Sequence, residues 1–418
     1  MNRISRRLAP LVGIAAAAIA LAGCGASDPG TSDGREAVTM WGSWSGTQVA
    51  QLNQQAKAFN DSQSKYEVKY VAQEIVEEKL LTAIAGGQVP DLVLWDRYAT
   101  ALYAPKKALM PIDDLVKKDK VDMDAFYSPA VDELTVGDKL YGLPLLVDNR
   151  SLFYNKKMLA DAGVEPPTTW EELKTAAEKL TVRDANGKLQ RAGLLMDDPG
   201  LFNSYLWQAG GELLNKDETK VEYDSPAGHA VLDYWKSLLD AGVYESGFGD
   251  GVDAFAQGTA AMRLNGPWAL ADLDKVDGLD YGIVPPPAGP SGDTAAAMGG
   301  FGLVIPQGAK NSAGAWAFMK WWTTEAKNGV DFAKISGWIP ANVEASKDPY
   351  FTEDEHYAAF IQTLQFAKVR PSVRGYSDVE GKALIPALQK FMIGEISADE
   401  ALAEATSTGD KILKENRK

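Results

Sequence analysis

The chain of 418 residues, 45% apolar and 24% charged, has the composition of a folded globular protein and is too long for one ordinary core, which favours two domains or one large discontinuous architecture. Its formal charge of −15 argues against nucleic acid, whose affinity rests on cationic neutralisation of phosphates, and disfavours adhesion of the folded body to an anionic membrane surface. One cysteine excludes a disulfide framework, and two histidines leave little for imidazole chemistry.

In chain order, Arg3, Arg6 and Arg7 form a basic region, "LAPLVGIAAAAIALAG" an apolar one, and Leu21-Ala22-Gly23-Cys24 closes it with small residues. That is the layout of a secretory signal over residues 1–23, or alternatively of an uncleaved anchor, although it is short and Ala-rich for a permanent span. Cys24 sits where cleavage would expose it, and the motif resembles a bacterial lipobox, which implies a lipidated cysteine at the mature N-terminus. Loss of the leader with its three arginines would take the charge from −15 to −18. The small, polar "GASDPGTSDGR" reads as a flexible tether completing residues 24–35, so the folded body is expected to start near Glu36.

From Ala37 the hydrophobic period switches repeatedly. "AVTMW" reads as a buried strand, and "TQVAQLNQQAKAFND" as a helix carrying Val49, Leu52, Ala56 and Phe59 on one face. "YEVKYV" alternates, "VEEKLLTAIAGG" is a helix ended by glycine, and "DLVLW" is a third strand. This alternation predicts a mostly parallel sheet covered by helices, and a second such unit is expected after "KLYGLPLLVDNRSLFYNKKML". There, Thr169 and Glu172 fit a capping box opening the helix "WEELKTAAEKLT", which makes Trp170 a helix-start residue. "AGHAVLDYWKSLLDAG" and "SAGAWAFMKWWTTEAKNG" are amphipathic helices that place Trp235, Trp316 and Trp321 on or beside apolar faces, and "VPPPAGPSGD" is a loop.

Most catalytic signatures are missing. Neither His229 nor His356 has a partner at metal spacing, and no P-loop, G-x-G-x-x-G or G-x-S-x-G motif occurs, so neither a cofactor nor a metal is expected. Asp96, Asp148 and Asp198 fall near the ends of predicted elements, and a glycoside hydrolase needs only two carboxyl groups, so that enzyme class stays open. Against it, Arg97 beside Asp96 is expected to keep the acid ionised. In parallel sheets ligands sit beyond the carboxyl ends of strands, and here those ends carry Trp41, Ser43, Trp44 and Ser45, then Trp95, Asp96 and Arg97. Indole faces that cover the CH faces of a pyranose, with planar Asp and Arg groups to bridge its hydroxyls, are what a sugar requires.

Seven stretches, "AIAGGQVPDLVLWDRYA", "KLYGLPLLVDNRSLFYNKKMLADAGVEPPTTWEEL", "WQAGGELLN", "AFAQGTAAMRLNGPWAL", "YGIVPPPAGPSG", "MGGFGLVIPQGAKNSAGAWAFMKWW" and "SGWIPANVEA", give the chain a resemblance to the extracellular solute-binding proteins of bacterial carbohydrate ABC importers, the maltose-binding-protein branch. The resemblance implies a type II periplasmic-binding-protein fold: two discontinuous α/β domains, joined by hinge strands, with solute between them. The lobes would combine 36–146 with 301–326 and 149–298 with 327–418, with crossings near Leu145–Ser151 and Met298–Gly302. Gly299, Gly300 and Gly302 suit either a hinge that changes φ/ψ or close backbone packing.

Carried over position by position, the resemblance implies sugar contacts at Asp96, Arg97 and Asp148, stacking at Trp268, and further contacts at Asp198 and Tyr376, with Arg374 beside it. Trp44, Gly300 and Trp338 complete the expected ligand-binding set. Gly200 stands where the maltose binder has a stacking tyrosine, which puts maltose itself in doubt. The implied protein is a monomeric lipoprotein that is no enzyme. It is held outside the cytoplasmic membrane by the lipid on Cys24, and captures a carbohydrate for the transmembrane subunits of an importer. The same fold holding a peptide or polyamine is the alternative, because three carboxylates would welcome a cation.

Overall fold

The computed structural model describes residues 34–417. The leader, the lipobox with Cys24 and the tether up to Asp33 therefore lie outside the described residues. Glu36–Gly42, Tyr66–Ala72 and Leu92–Asp96 form parallel strands in the spatial order 66–72, 36–42, 92–96, connected by the helices Thr47–Ser62 and Val76–Ala85. Alternation in the first strand buries Val38 and Met40, whereas Leu92 to Trp95 are buried without interruption, as in a strand covered on both faces. Leu52, Ala56 and Phe59 form the buried helix face, and Val49 is only partly covered. The sheet is completed from far along the chain. Phe301–Val304 inserts antiparallel between Leu92–Asp96 and Gly142–Pro144, setting Phe301 opposite Asp96 and Gly302 opposite both Trp95 and Pro144.

The expected second parallel unit is not what forms. Ser151–Asn155 is the centre of a three-stranded sheet, and Met262–Asn265 and Tyr281–Val284 flank it in the antiparallel sense. The helices Trp170–Leu180, Phe202–Gln208 and Pro226–Asp240 follow without returning a parallel strand to it, and the chain re-enters at Met262 in the opposite direction. Trp170 does start its helix: Thr169 Oγ1 accepts from the Glu172 backbone N–H at 3.2 Å, and the indole donates to Gln208 Oε1 at 2.7 Å. The reciprocal bond of the expected box is displaced, since the Glu172 carboxylate accepts from the Thr168 N–H instead. A complete capping box opens Ala398–Asn416, from Ser397 and Glu400.

Two hydrophobic cores result, and the chain passes between them at short connectors. Leu145, Leu146 and Leu303 pack in the first core, Val147 and Met298 in the second. Asp148 bridges to Gly299 at the crossing, and Leu146–Val147 pairs with Ile339–Pro340. The cores also exchange side chains across these connectors. Phe126 and Ala130 join the second, Phe332 and Trp338 the first.

Candidate functional site

A cavity of about 610 Å³ opens where the strand ends of the first core meet the crossings and the second core. One wall is aromatic. Trp44, just after the first strand, stacks on Trp338 with ring centroids 5.3 Å apart and planes 22° apart, and Trp338 packs on Trp268 at 5.1 Å. Phe301 meets both Trp44 and Trp338 edge-on. Trp268 sits in the turn Pro267–Ala269, which follows the strand Met262–Asn265. Its ring lies so close over Gly266 that a Cβ there would come within 1.9 Å of the indole, so only glycine permits this placement. The Trp338 Nε1–H is buried with no acceptor among the described residues.

The facing wall is charged. Arg370 lies over the Tyr98 ring at 3.8 Å, reaches Asp96 at 3.5 Å and reaches Glu380 at 3.4 Å. Burial works against charge on Arg370, but the pull of Glu380, Asp96 and Glu133 overrides it and its pKa rises. Glu380 also accepts from Asn203 Nδ2 at 2.6 Å, while Asn203 Oδ1 is buried with no donor among the described residues. Asp148 is paired with Arg150, whose guanidinium carbon sits 4.4 Å from the Trp268 ring centre. Asp198 caps the turn Pro199–Leu201 by accepting from the Gly200 N–H. Four carboxylates and two guanidiniums thus border one space, each carboxylate already holding at least one donor.

Of the residues expected from the sequence, Trp44, Asp96, Asp148, Asp198, Trp268, Gly300 and Trp338 line this cavity. Arg97 and Tyr376 do not, and both are corrections. Arg97 is wholly buried: it pairs with Glu133 at 3.0 Å and donates to the backbone carbonyls of Leu146, Gly299 and Phe301, on the two segments of chain at the crossings. The strand ends at Asp96, which lines the cavity, and Arg97 opens the 3-10 turn Arg97–Ala99 with its side chain in the interior. Tyr376 is buried too, its hydroxyl 3.1 Å from that of Tyr223, and Arg374 is exposed. Trp95 belongs to the core, donating to Thr100 Oγ1. The expectation that Arg97 keeps the Asp96 pKa from rising does not hold. Burial raises its pKa, Arg370 and Arg97 pull it back, and Asp148 pushes it up again.

Tyr98, Arg150, Asn203, Arg370 and Glu380 are cavity residues that sequence reasoning missed. Arg150 stood in the quoted stretch around Asp148, two residues on, and offered a signal; Arg370 and Glu380 lie 274 and 284 positions after Asp96 and offered none. Among the described residues no group of three or more His, Cys, Asp and Glu could hold a metal ion, and no helix is long and apolar enough to cross a membrane. His229 pairs with Asp224 and His356 stacks on Tyr281, both outside the cavity.

The sequence pattern of bacterial extracellular solute-binding proteins matches residues 54–359. A binding protein of Brucella abortus is 27% identical over 360 residues, 82% of this chain and 84% of its own. The maltodextrin-binding protein of Bacillus subtilis is 25% identical over 424 residues, covering 96% of this chain and 95% of its own. Among solved structures, the GacH receptor of Streptomyces glaucescens, determined unliganded and in complex with acarbose and an acarbose homolog, superposes with a TM-score of 0.80 at 29% identity, covering 91% of this chain and 99% of its own.

Proposed function

This chain belongs to the bacterial extracellular solute-binding protein family, and from that premise we propose that it captures a sugar or oligosaccharide between two α/β lobes and delivers it, unaltered, to the membrane subunits of an ABC importer. The observation that carries the reading is the cavity wall: three indoles in contact, Trp44, Trp338 and Trp268, facing Asp96, Asp148, Asp198, Arg370 and Glu380. Indoles cover the apolar faces of sugar rings, and the carboxylates and guanidiniums take the hydroxyl edges. A missing hydroxyl would leave its partner in the wall short of a hydrogen bond, at most cost beside the buried Asp148 and Glu380, which is the source of selectivity.

The lobes are taken as 36–146 with 301–326 and 149–298 with 327–418, moving about the connectors near Leu145–Ser151 and Met298–Gly302. Sugar touching both lobes favours the closed form, and only that form presents both outer surfaces to the permease. Within this proposal the protein is a monomer, needs no cofactor, and is tethered outside the cytoplasmic membrane by a lipid on Cys24. The names of relatives that bind maltodextrin and acarbose support a glycan guest.

Calorimetry and thermal unfolding against a panel of α- and β-linked oligosaccharides test the reading, with stabilisation of about 2.7 kcal/mol expected at a ligand concentration 100 times Kd. Silence across sugars with a response to polyamines or peptides would move the guest to a cationic solute, which the excess of carboxylates over guanidiniums in the wall favours. The raised pKa of Asp96 favours one other reading, a carboxylate glycosidase. Turnover of aryl glycosides above background would establish that instead.

A further inference from the structure

We propose that Arg150 is a built-in competitor for the sugar: its guanidinium covers the Trp268 indole and occupies the Asp148 carboxylate, and the guest must displace it from both. The proposal rests on reading the cleft as a sugar site, and it names the residue that sets how tightly that site binds. Trp268, Asp148 and Arg150 line the same cavity. The guanidinium carbon is 4.4 Å from the Trp268 ring centre while Nη1 of the same group is bonded to Asp148 Oδ1, so one planar cation engages both groups at once. A sugar ring presents the same combination, a flat face for the indole and hydrogen-bond donors for the carboxylate.

The two sites differ in exposure in the way a competitor requires. The Asp148 side chain is 5% exposed and would be costly to leave unpaired in an empty cleft, whereas that of Arg150 is 26% exposed and has solvent to move into. Among the described residues its guanidinium makes no other hydrogen bond or ion pair. Arg97 shows the contrasting case, with every nitrogen directed at a fixed protein acceptor in the interior.

The test compares wild type with Arg150→Ala and Arg150→Lys, by calorimetry against the sugar that binds wild type best and by acrylamide quenching of tryptophan fluorescence without ligand. Arg150→Ala is expected to bind about 3- to 30-fold tighter, the combined worth of a partly exposed cation–π contact and ion pair. Arg150→Lys, which keeps the charge and loses the flat cover, should fall between. Without ligand, Arg150→Ala should quench more than wild type, and the increment should vanish in a Trp268→Phe background. Weaker binding by Arg150→Ala would make the residue a ligand contact, and equal binding a bystander; either overturns the proposal. Unchanged quenching would remove the cover itself. If no sugar binds either protein, the sugar reading falls, and quenching alone decides whether Arg150 shields Trp268.

Discussion

Replacing Gly300 by alanine puts a single methyl group into the tightest point of the crossings. Gly300 has φ of 127°, a conformation L-residues rarely adopt, and a Cβ there would lie 2.2 Å from the Leu146 carbonyl oxygen and 2.6 Å from Arg97 Nη1. Neither neighbour can yield cheaply, because one is backbone and the other is a buried guanidinium bonded to four acceptors. Backbone strain of about 1–3 kcal/mol and overpacking of about 1–3 kcal/mol give a loss of roughly 2–6 kcal/mol. With an unfolding entropy of about 2.1 cal/mol/K per residue, a chain of this length loses about 0.9 kcal/mol per degree, so the melting temperature should fall by roughly 2–7 °C. Circular dichroism melts of Gly300→Ala and Gly299→Ala make the comparison. At Gly299 the approaching atoms, at 3.0–3.4 Å, belong to the Asp148 carboxylate, a side chain that can turn, so stability should hold better there while ligand affinity shifts. Gly300→Ala melting within about 1 °C of wild type would refute the packing argument.

Other outcomes follow from the same geometry. Trp268→Ala should weaken sugar binding by about 10- to 100-fold with the melting curve preserved, and unchanged affinity would remove Trp268 from the site. Burial pushes the Glu133 carboxyl from its ordinary 4.5 up to about 7, with Arg97 pulling the other way. The folded state then holds the proton longer than the unfolded one, so this contribution is complete below about pH 4.5 and is lost as pH rises through about 7. The urea midpoint should therefore fall more steeply between pH 5 and pH 8 in wild type than in Glu133→Gln, and superimposable slopes would contradict the assignment.

The first three strands and two helices were legible because their apolar periods change cleanly between 2 and 3.6 within sixty residues. The antiparallel sheet around Ser151–Asn155 was not, since period shows that a strand is buried and carries no sign of which direction its partner runs. Within the site, residues fixed by a motif at a strand end or turn, such as Asp96 and Trp268, were placed in the cavity wall. The side chain next to Asp96 was not legible because the strand gives way to a 3-10 turn at Arg97, and adjacency in sequence suggested a partnership that Arg370 holds instead. Partnerships like that one join segments some 270 residues apart, and only the closed topology of the two cores brings them together.

Arg97 also has a mechanical consequence. By gripping the carbonyls of Leu146, Gly299 and Phe301 at once, it bolts the outgoing and returning segments to each other as well as to Glu133. Shearing one segment past the other would break several buried bonds together, whereas rotating both as a pair preserves them. The linkage therefore works as a rivet, resisting any sliding of one segment along the other.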